Sequence, residues 1–344
     1  MNGLDSKFAY VNGTRLHYFE QGAGPLVLLV HGFPEISYSW RHQLPALAKA
    51  GYRVVAYDQR GYGLSSKYAN LEAYRIHQLV DDAVGLVQAL GEESAIIVGH
   101  DWGAAVAWSA AWLRPDIFKA VAGLSVPFGG RGIIPLPGSP FGELEPDPLH
   151  EALAGPGQDF YQTHFGKIDG AIAEMETDVR GWLRGAVLSL SGDGLRPTGM
   201  DFAAMDPIDL IRGSALCIAH GEQMKDRFFD IPSLPNWFNE NDLDAYTTAF
   251  EGSGFVGPLM YYKNLNADWE DLASMGDSPL QVPATLILGD LDICYGWGQE
   301  AISRAPERIP NYRGTHLLGG CGHWTQQERP EDVNRLLIEF FNSL

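Results

Sequence analysis

Ala95-Ile96-Ile97-Val98-Gly99-His100-Asp101-Trp102-Gly103-Ala104-Ala105-Val106-Ala107-Trp108 is the stretch that decides the fold. Ala95 to Val98 reads as a short buried strand, and the run from Gly103 opens a helix rich in small residues. Between them lies a turn of the Gly-x-nucleophile-x-Gly type, which displays its central side chain at the top of a sheet. Glycines flank that residue because the turn strains it and brings strand and helix close together. Here the displayed residue is Asp101, where a serine would be usual. An ordinary Asp-Gly turn is the competing reading, since both residue types favour turns.

Aspartate changes the chemistry such a turn can carry. A carboxylate is already ionised at neutral pH, so it attacks without a base. At a saturated carbon a serine would leave an ether that water does not readily cleave, whereas aspartate leaves a hydrolysable ester. A histidine is then free to activate the water of a second step. Epoxides and alkyl halides are the substrates that suit this route.

Composition narrows the field further. The chain has 344 residues, enough for one large domain or for a domain carrying an insertion. Its formal net charge of -19 argues against nucleic acid and against an anionic membrane surface, and favours a small neutral substrate. Cys217, Cys294 and Cys321 are odd in number and widely spaced, with no metal-ligand pattern, which points to buried thiols in a reducing compartment. The first apolar run, Leu26 to Val30, is too short for a signal peptide or a membrane span, so a cytoplasmic protein is expected. Asn12-Gly13-Thr14 matches a glycosylation sequon, but Asn-Gly between two alternating segments reads more simply as a hairpin turn.

Strand-like segments fall at residues 7 to 20 (a hairpin), Leu26 to Val30, Arg53 to Tyr57, Ala95 to Val98 and Ala120 to Val126, with helical stretches such as Leu79 to Leu90 between them. The alternation predicts an α/β fold with a mainly parallel sheet covered on both faces. It breaks at residue 129. Gly129 to Asp159 is crowded with proline and glycine and reads as a loop, and the chain is then mostly helical to about residue 275. Strands return at Pro283 to Leu288 and Tyr312 to Leu318, followed by a helix from Pro330 to Phe341. The predicted organisation is a core in two parts, residues 1–128 and 276–344, interrupted by a loop and helical cap over 129–275.

If Asp101 is a nucleophile, a base and an orienting acid should follow it, each on a loop at a strand end. Gly319-Gly320-Cys321-Gly322-His323-Trp324 places His323 between the last strand and the last helix. Gly289-Asp290-Leu291-Asp292 offers two acids, of which Asp292, further along the loop, is better able to reach over the sheet edge. Ester hydrolysis puts negative charge on the Asp101 carbonyl oxygen, and the backbone N–H groups of Trp102 and of Phe33, in His31-Gly32-Phe33-Pro34, are the candidate donors for it. A cis Phe33–Pro34 bond would suit that loop.

With these segments together, the chain resembles the epoxide hydrolases of the α/β-hydrolase superfamily, of the soluble type found in animals, plants and mycobacteria. His31-Gly32-Phe33-Pro34-Glu35, Tyr38-Ser39-Trp40-Arg41, Asp58-Gln59-Arg60-Gly61-Tyr62-Gly63, the Asp101 turn, the Asp292 loop and Cys321-Gly322-His323-Trp324-Thr325-Gln326 carry the resemblance, in family order through almost the whole core. It implies an Asp101 nucleophile, a His323 base and an Asp292 acid. It also implies two cap tyrosines that bind and protonate the epoxide oxygen. Tyr262 matches the second and Tyr161 the first, with Tyr261 a competitor because this chain reads Met260-Tyr261-Tyr262 where many relatives read Asn-Trp-Tyr. Ser37 stands where a tryptophan is common in relatives. The resemblance implies no metal and no organic cofactor; the partners are a small epoxide and water, with a homodimer left open.

Three other readings share part of this pattern. A haloalkane dehalogenase would share the triad but usually holds the halide with a side-chain donor directly after His-Gly, and Phe33 has none. Fluoroacetate dehalogenases place an arginine where this chain has Trp102. A non-catalytic, ligand-binding member of the fold would have no need of nucleophile, base and acid together.

Overall fold

The computed structural model describes residues 5–344. Asn12 and Gly13 both take positive φ, 46° and 69°, and close the hairpin between β1 (Lys7–Val11) and β2 (Thr14–Gln21), so the sequon is a hairpin turn. The remaining strands are β3 (Leu26–Val30), β4 (Arg53–Tyr57), β5 (Ala95–His100), β6 (Phe118–Leu124), β7 (Gln158–Phe160), β8 (Cys217–Ala219), β9 (Ala284–Gly289) and β10 (Tyr312–Leu318). Eight of them form one sheet in the order β1-β2-β4-β3-β5-β6-β9-β10. Only the β1–β2 and β2–β4 pairs are antiparallel. The chain has the α/β-hydrolase fold.

Helices cover both faces: α1 (Gln43–Lys49), α2 (Ile76–Ala89) and α3 (Trp102–Leu113) in the first part, and α13 (Ile293–Arg308), α14 (Thr325–Glu328) and α15 (Pro330–Asn342) in the last. Between β6 and β9 come α4 (Pro146–Ala154), α5 (Tyr161–Gly166), α6 (Ile168–Thr177), α7 (Val179–Ser189), α8 (Gly192–Leu195), α9 (Pro207–Gly213), α10 (Glu240–Ser253), α11 (Val256–Lys263) and α12 (Leu265–Asp271). Strand β3 shows why its sequence is apolar throughout. Leu26, Leu28 and Val30 point into the cluster with α2 and α3, while Val27 and Leu29 point into the cluster with α1 and α15. Truncating such a residue, Leu28 for example, costs roughly 2–5 kcal/mol. On α15, Val333, Leu336, Leu337, Phe340 and Phe341 form one buried stripe, spaced as a helix facing a sheet requires.

The structure departs from the sequence reading in a few places. The expected loop from Gly129 to Asp159 contains α4, a nine-residue helix. Pro146 and Pro148 fall in its first turn, where no N–H has an intrahelical partner, so they start the helix rather than break it. Helix α2 begins at Ile76, earlier than Leu79, because the Asp268 carboxylate accepts from the Ile76 N–H at 2.9 Å. Strand β6 begins at Phe118 and ends at Leu124, short of Val126, since Ser125 turns to φ +70°. Strands β7 and β8 form a small antiparallel pair inside the insertion.

The insertion packs back on loops at the carboxyl ends of the strands. Ser39 pairs with the Tyr246 hydroxyl at 2.8 Å, Tyr261 donates to the Arg60 carbonyl at 2.9 Å, and the His323 N–H donates to the Leu190 carbonyl at 2.9 Å. A cleft at the strand carboxyl ends is where open α/β sheets bind ligands. The three cysteines are buried free thiols, and no helix among the described residues is long and apolar enough to cross a membrane.

Candidate active site

Asp101 occupies the tight turn between β5 and α3, with φ 54° and ψ −122°. Its neighbours explain the flanking glycines. A Cβ on Gly99 would lie 1.9 Å from the Gly103 carbonyl oxygen, and one on Gly103 would lie 2.0 Å from the Val30 carbonyl oxygen. Holding a non-glycine residue in such a conformation costs on the order of 1–3 kcal/mol, a strain that accumulates at functional sites. Across from the turn, the Phe33 N–H donates to Asp101 Oδ1 at 2.8 Å, and the Phe33–Pro34 peptide is cis. Gly32 is required there as well, because a Cβ would fall 2.3 Å from Asp101 Oδ1. Trp102 is the first residue of α3, so its N–H belongs to the group left without an intrahelical acceptor.

His323 sits on the loop after β10. Its Nε2 is 3.6 Å from Asp101 Oδ2 and its Nδ1 is 3.2 Å from Asp292 Oδ1. Asp292 caps α13, accepting from the Cys294 N–H at 3.0 Å. Asp290 does something else: it accepts from the Gly320 N–H at 2.7 Å and so ties down the His323 loop. Burial opposes charge on His323, but the Asp292 carboxylate and the nearby Asp101 carboxylate outweigh it and raise its pKa well above the ordinary value. Burial likewise disfavours ionised Asp292, and the His323 charge overrides it, so that carboxyl is held below its usual range.

A second buried pair lies beneath these residues. His100 Nδ1 is 2.7 Å from Glu35 Oε2 and its Nε2 is 2.7 Å from the His323 carbonyl. Gln326 and Gln327 donate to Glu35 Oε1 at 2.9 and 2.8 Å. Burial alone would raise the Glu35 pKa, but His100 brings it down to about 2. One carboxylate thus joins the Phe33 loop, the Asp101 turn and the His323 loop.

The insertion closes the other side. Tyr161 on α5 and Tyr262 on α11 line a cavity of about 410 Å³ together with Asp101, His323, Phe33 and Pro34. Their ring centroids are 5.9 Å apart, and Tyr161 stacks on Trp297 at 6.2 Å. Gln162 donates to the Tyr161 hydroxyl oxygen at 2.9 Å, which leaves the phenol's own proton free to point elsewhere. Burial first, and then the Asp101 charge, push the Tyr262 phenol well above its usual pKa. Burial does the same to Tyr161. Both stay protonated. Tyr261 faces away from the cavity, with its hydroxyl on the Arg60 carbonyl.

Asp292, Cys294 and His323 are the group among the described residues whose potential metal-ligand atoms lie within 4.8 Å of one another. The carboxylate and imidazole of that group are engaged with each other, and burial pushes the Cys294 thiol up to about 12. Ser125, Glu35, His100 and Gln162 all touch the candidate residues but were not singled out from sequence. For His100 and Glu35 the signal was present, since both lie inside the quoted motifs.

Residues 25–152 match the family model described as alpha/beta hydrolase fold. Within that fold, the chain is 54% identical to Epoxide hydrolase B of Mycobacterium tuberculosis over 343 residues, covering 96% of each chain. It is 40% identical to Epoxide hydrolase A of the same organism, covering 100% of this chain and 99% of that one. Among solved structures it is similar to an epoxide hydrolase from an endophytic Streptomyces, with a TM-score of 0.89 and 44% identity over 99% of this chain and 96% of that one. The chain is an alpha/beta-hydrolase-fold enzyme, and it belongs to the epoxide hydrolases.

Proposed function

We propose that this enzyme hydrolyses a small neutral epoxide to a vicinal diol in two covalent steps, with residues 129–275 acting as a cap over the site. The observation that carries the reading is the division of labour on one carboxylate. Asp101 Oδ1 is held by the Phe33 N–H, while Oδ2 faces His323. The held oxygen is the one whose charge a donor can stabilise, and the other is free to attack.

In the first step Asp101 Oδ2 forms a bond to an epoxide carbon as the ring C–O bond breaks. The electron pair goes to the ring oxygen, which takes a proton from Tyr161 or Tyr262. A phenol keeps its proton at neutral pH yet readily gives it to a far more basic alkoxide. In the second step His323, oriented by Asp292, takes a proton from water as the water oxygen bonds to Cγ of the ester. Negative charge develops on Oδ1, where the Phe33 and Trp102 N–H groups stabilise it. Collapse breaks the ester bond, the diol oxygen acquires a proton, Asp101 returns to carboxylate, and the remaining proton restores the tyrosine. No metal or organic cofactor enters this scheme.

The His323 environment fits this sequence of events. While Asp101 is ionised it favours protonated His323. Esterification removes that charge, lowers the imidazole pKa and frees the base when it is needed. Replacing His323 by Gln should therefore trap the alkyl-enzyme, seen by intact mass as protein plus one substrate. A His323→Gln variant that turns over normally, or never carries the adduct with a good epoxide, would overturn the reading.

A further inference from the structure

Among the described residues, Ser125 is the one fully buried non-glycine residue outside the Asp101 turn that takes a positive φ in direct contact with the catalytic groups. It follows the last residue of β6, and the Val126 N–H reaches back to the Leu124 carbonyl at 2.8 Å, so Ser125 sits at the centre of a three-residue γ-turn. The turn is pinned on both sides: the Ser125 N–H donates to the Ile287 carbonyl of β9 at 2.9 Å, and the Trp108 indole donates to the Val126 carbonyl at 2.9 Å. Glycine would take φ +70° without strain. The chain instead keeps serine there, and what serine adds is a hydroxyl placed between two members of the triad.

The hydrogen-bond roles follow from counting protons. The hydroxyl has one, and at 2.5 Å it donates to Asp292 Oδ2. Ser125 Oγ is also 2.8 Å from His323 Nδ1, so Nδ1 must carry a proton and donate to it. The same Nδ1–H is shared with Asp292 Oδ1 at 3.2 Å. With Oδ1 also taking the Cys294 N–H, both oxygens of Asp292 are fixed, and His323 is held in the tautomer that leaves Nε2 free to take a proton from water.

We propose that Ser125 is a positioning residue for the second step, its hydroxyl locking the Asp292 carboxylate and the His323 tautomer so that Nε2 faces the ester. This rests on the two-step reading above, and it separates the steps. Ring opening by Asp101 needs no base, so Ser125 should matter only to hydrolysis of the ester. Backbone strain at a functional site then has a stated purpose, because relieving it removes the group that orients the base.

The test uses Ser125→Gly, Ser125→Ala and Ser125→Asn in the full-length enzyme. Ser125→Gly relieves the strained φ and should melt no lower than wild type, yet kcat should fall about tenfold to a hundredfold, the range for lost partners that orient a catalytic group. KM should fall with it, leaving kcat/KM within about twofold because that ratio reports ring opening. The ester adduct should accumulate in acid-quenched steady-state samples. Ser125→Ala should match the Gly variant in kinetics but not in stability. Asparagine tolerates positive φ and brings an amide donor, so Ser125→Asn should recover part of kcat. A Ser125→Gly enzyme with wild-type kcat, or one that loses kcat/KM and kcat equally without adduct, would overturn the proposal. If His323→Gln also carries no adduct, the two-step reading fails; if His323→Gln carries it and Ser125→Gly does not, only the role of Ser125 fails.

Discussion

The two walls of the cavity are built on different principles. On the core side, Asp101, Asp292 and His323 follow strands β5, β9 and β10, with β6 between the first two, and each is fixed by backbone hydrogen bonds and glycine-limited close approaches. On the insertion side, Tyr161 and Tyr262 ride on helices and are placed by aromatic packing: Tyr161 against Phe165 and Trp297, Tyr262 against Phe165, Phe33 and Trp102. The acids and the imidazole lie on the first wall, where backbone donors are ready for negative charge. The second wall is mainly apolar, with the phenols of Tyr161 and Tyr262 on the side that faces Asp101 and with Ser189, Ser214 and Arg227 also in the lining. A wall held by backbone should make or break the chemistry, while a wall held by side-chain packing should grade it and choose the substrate.

The strongest way to break this contrast is at Asp101. Asp101→Asn should show no ring opening when freshly purified, a loss on the order of 10⁴-fold or more. Diol formation at a near-normal rate would place the nucleophile elsewhere. On the insertion wall the expected losses are smaller and shared. Tyr161→Phe with Tyr262→Phe should cost about 10²- to 10⁴-fold in ring opening, the range of general-acid catalysis, with either single change costing less. Tyr261→Phe should leave kcat close to wild type but lower stability by about 1–3 kcal/mol, since it strips the donor from the buried Arg60 carbonyl. Reversed results for Tyr261 and Tyr262 in rate and melting assays would exchange their roles.

A pH profile sharpens the comparison with the smallest effect. His323 in the free enzyme has its pKa raised by Asp292 and Asp101 against burial. As pH falls through that value the imidazole gains a proton, but ring opening needs no base, so kcat/KM should hold. Ester hydrolysis does need neutral His323, so kcat should decline on the acid side, and at a lower pH than the free-enzyme pKa because Asp101 is then an uncharged ester. Parallel loss of kcat and kcat/KM with one midpoint would contradict this account.

The same division explains what could be read before the structure was known. The Asp101 turn, the Phe33 loop and the His323 loop carry glycines that geometry demands, so their function left a mark in residue identity. Gly289 marks the loop that carries Asp290 and Asp292 but does not choose between them, and only the direction of each carboxylate separates the one that ties the His323 loop from the one that meets His323. Tyr261 and Tyr262 are adjacent on a helix and point about 100° apart, so motif alignment leaves a choice that packing makes. Ser125 was illegible for a stronger reason: positive φ at a serine breaks the local preference that sequence reading depends on. Helix α4 hides from a composition-based reading because Pro146 and Pro148, breakers inside a helix, lie in its first turn, where proline is tolerated.

The central claim is that the oxygen added to the epoxide comes first from Asp101 and only afterwards from water. It is tested most directly by a single turnover in ¹⁸O-water, with enzyme in excess over an epoxide, followed by mass analysis of the diol and of the peptide containing Asp101. Attack by Asp101 gives an unlabelled diol and ¹⁸O in the Asp101 carboxylate. Label in the first-turnover diol, with none in Asp101, would mean that water attacks the epoxide directly and that Asp101 is no nucleophile.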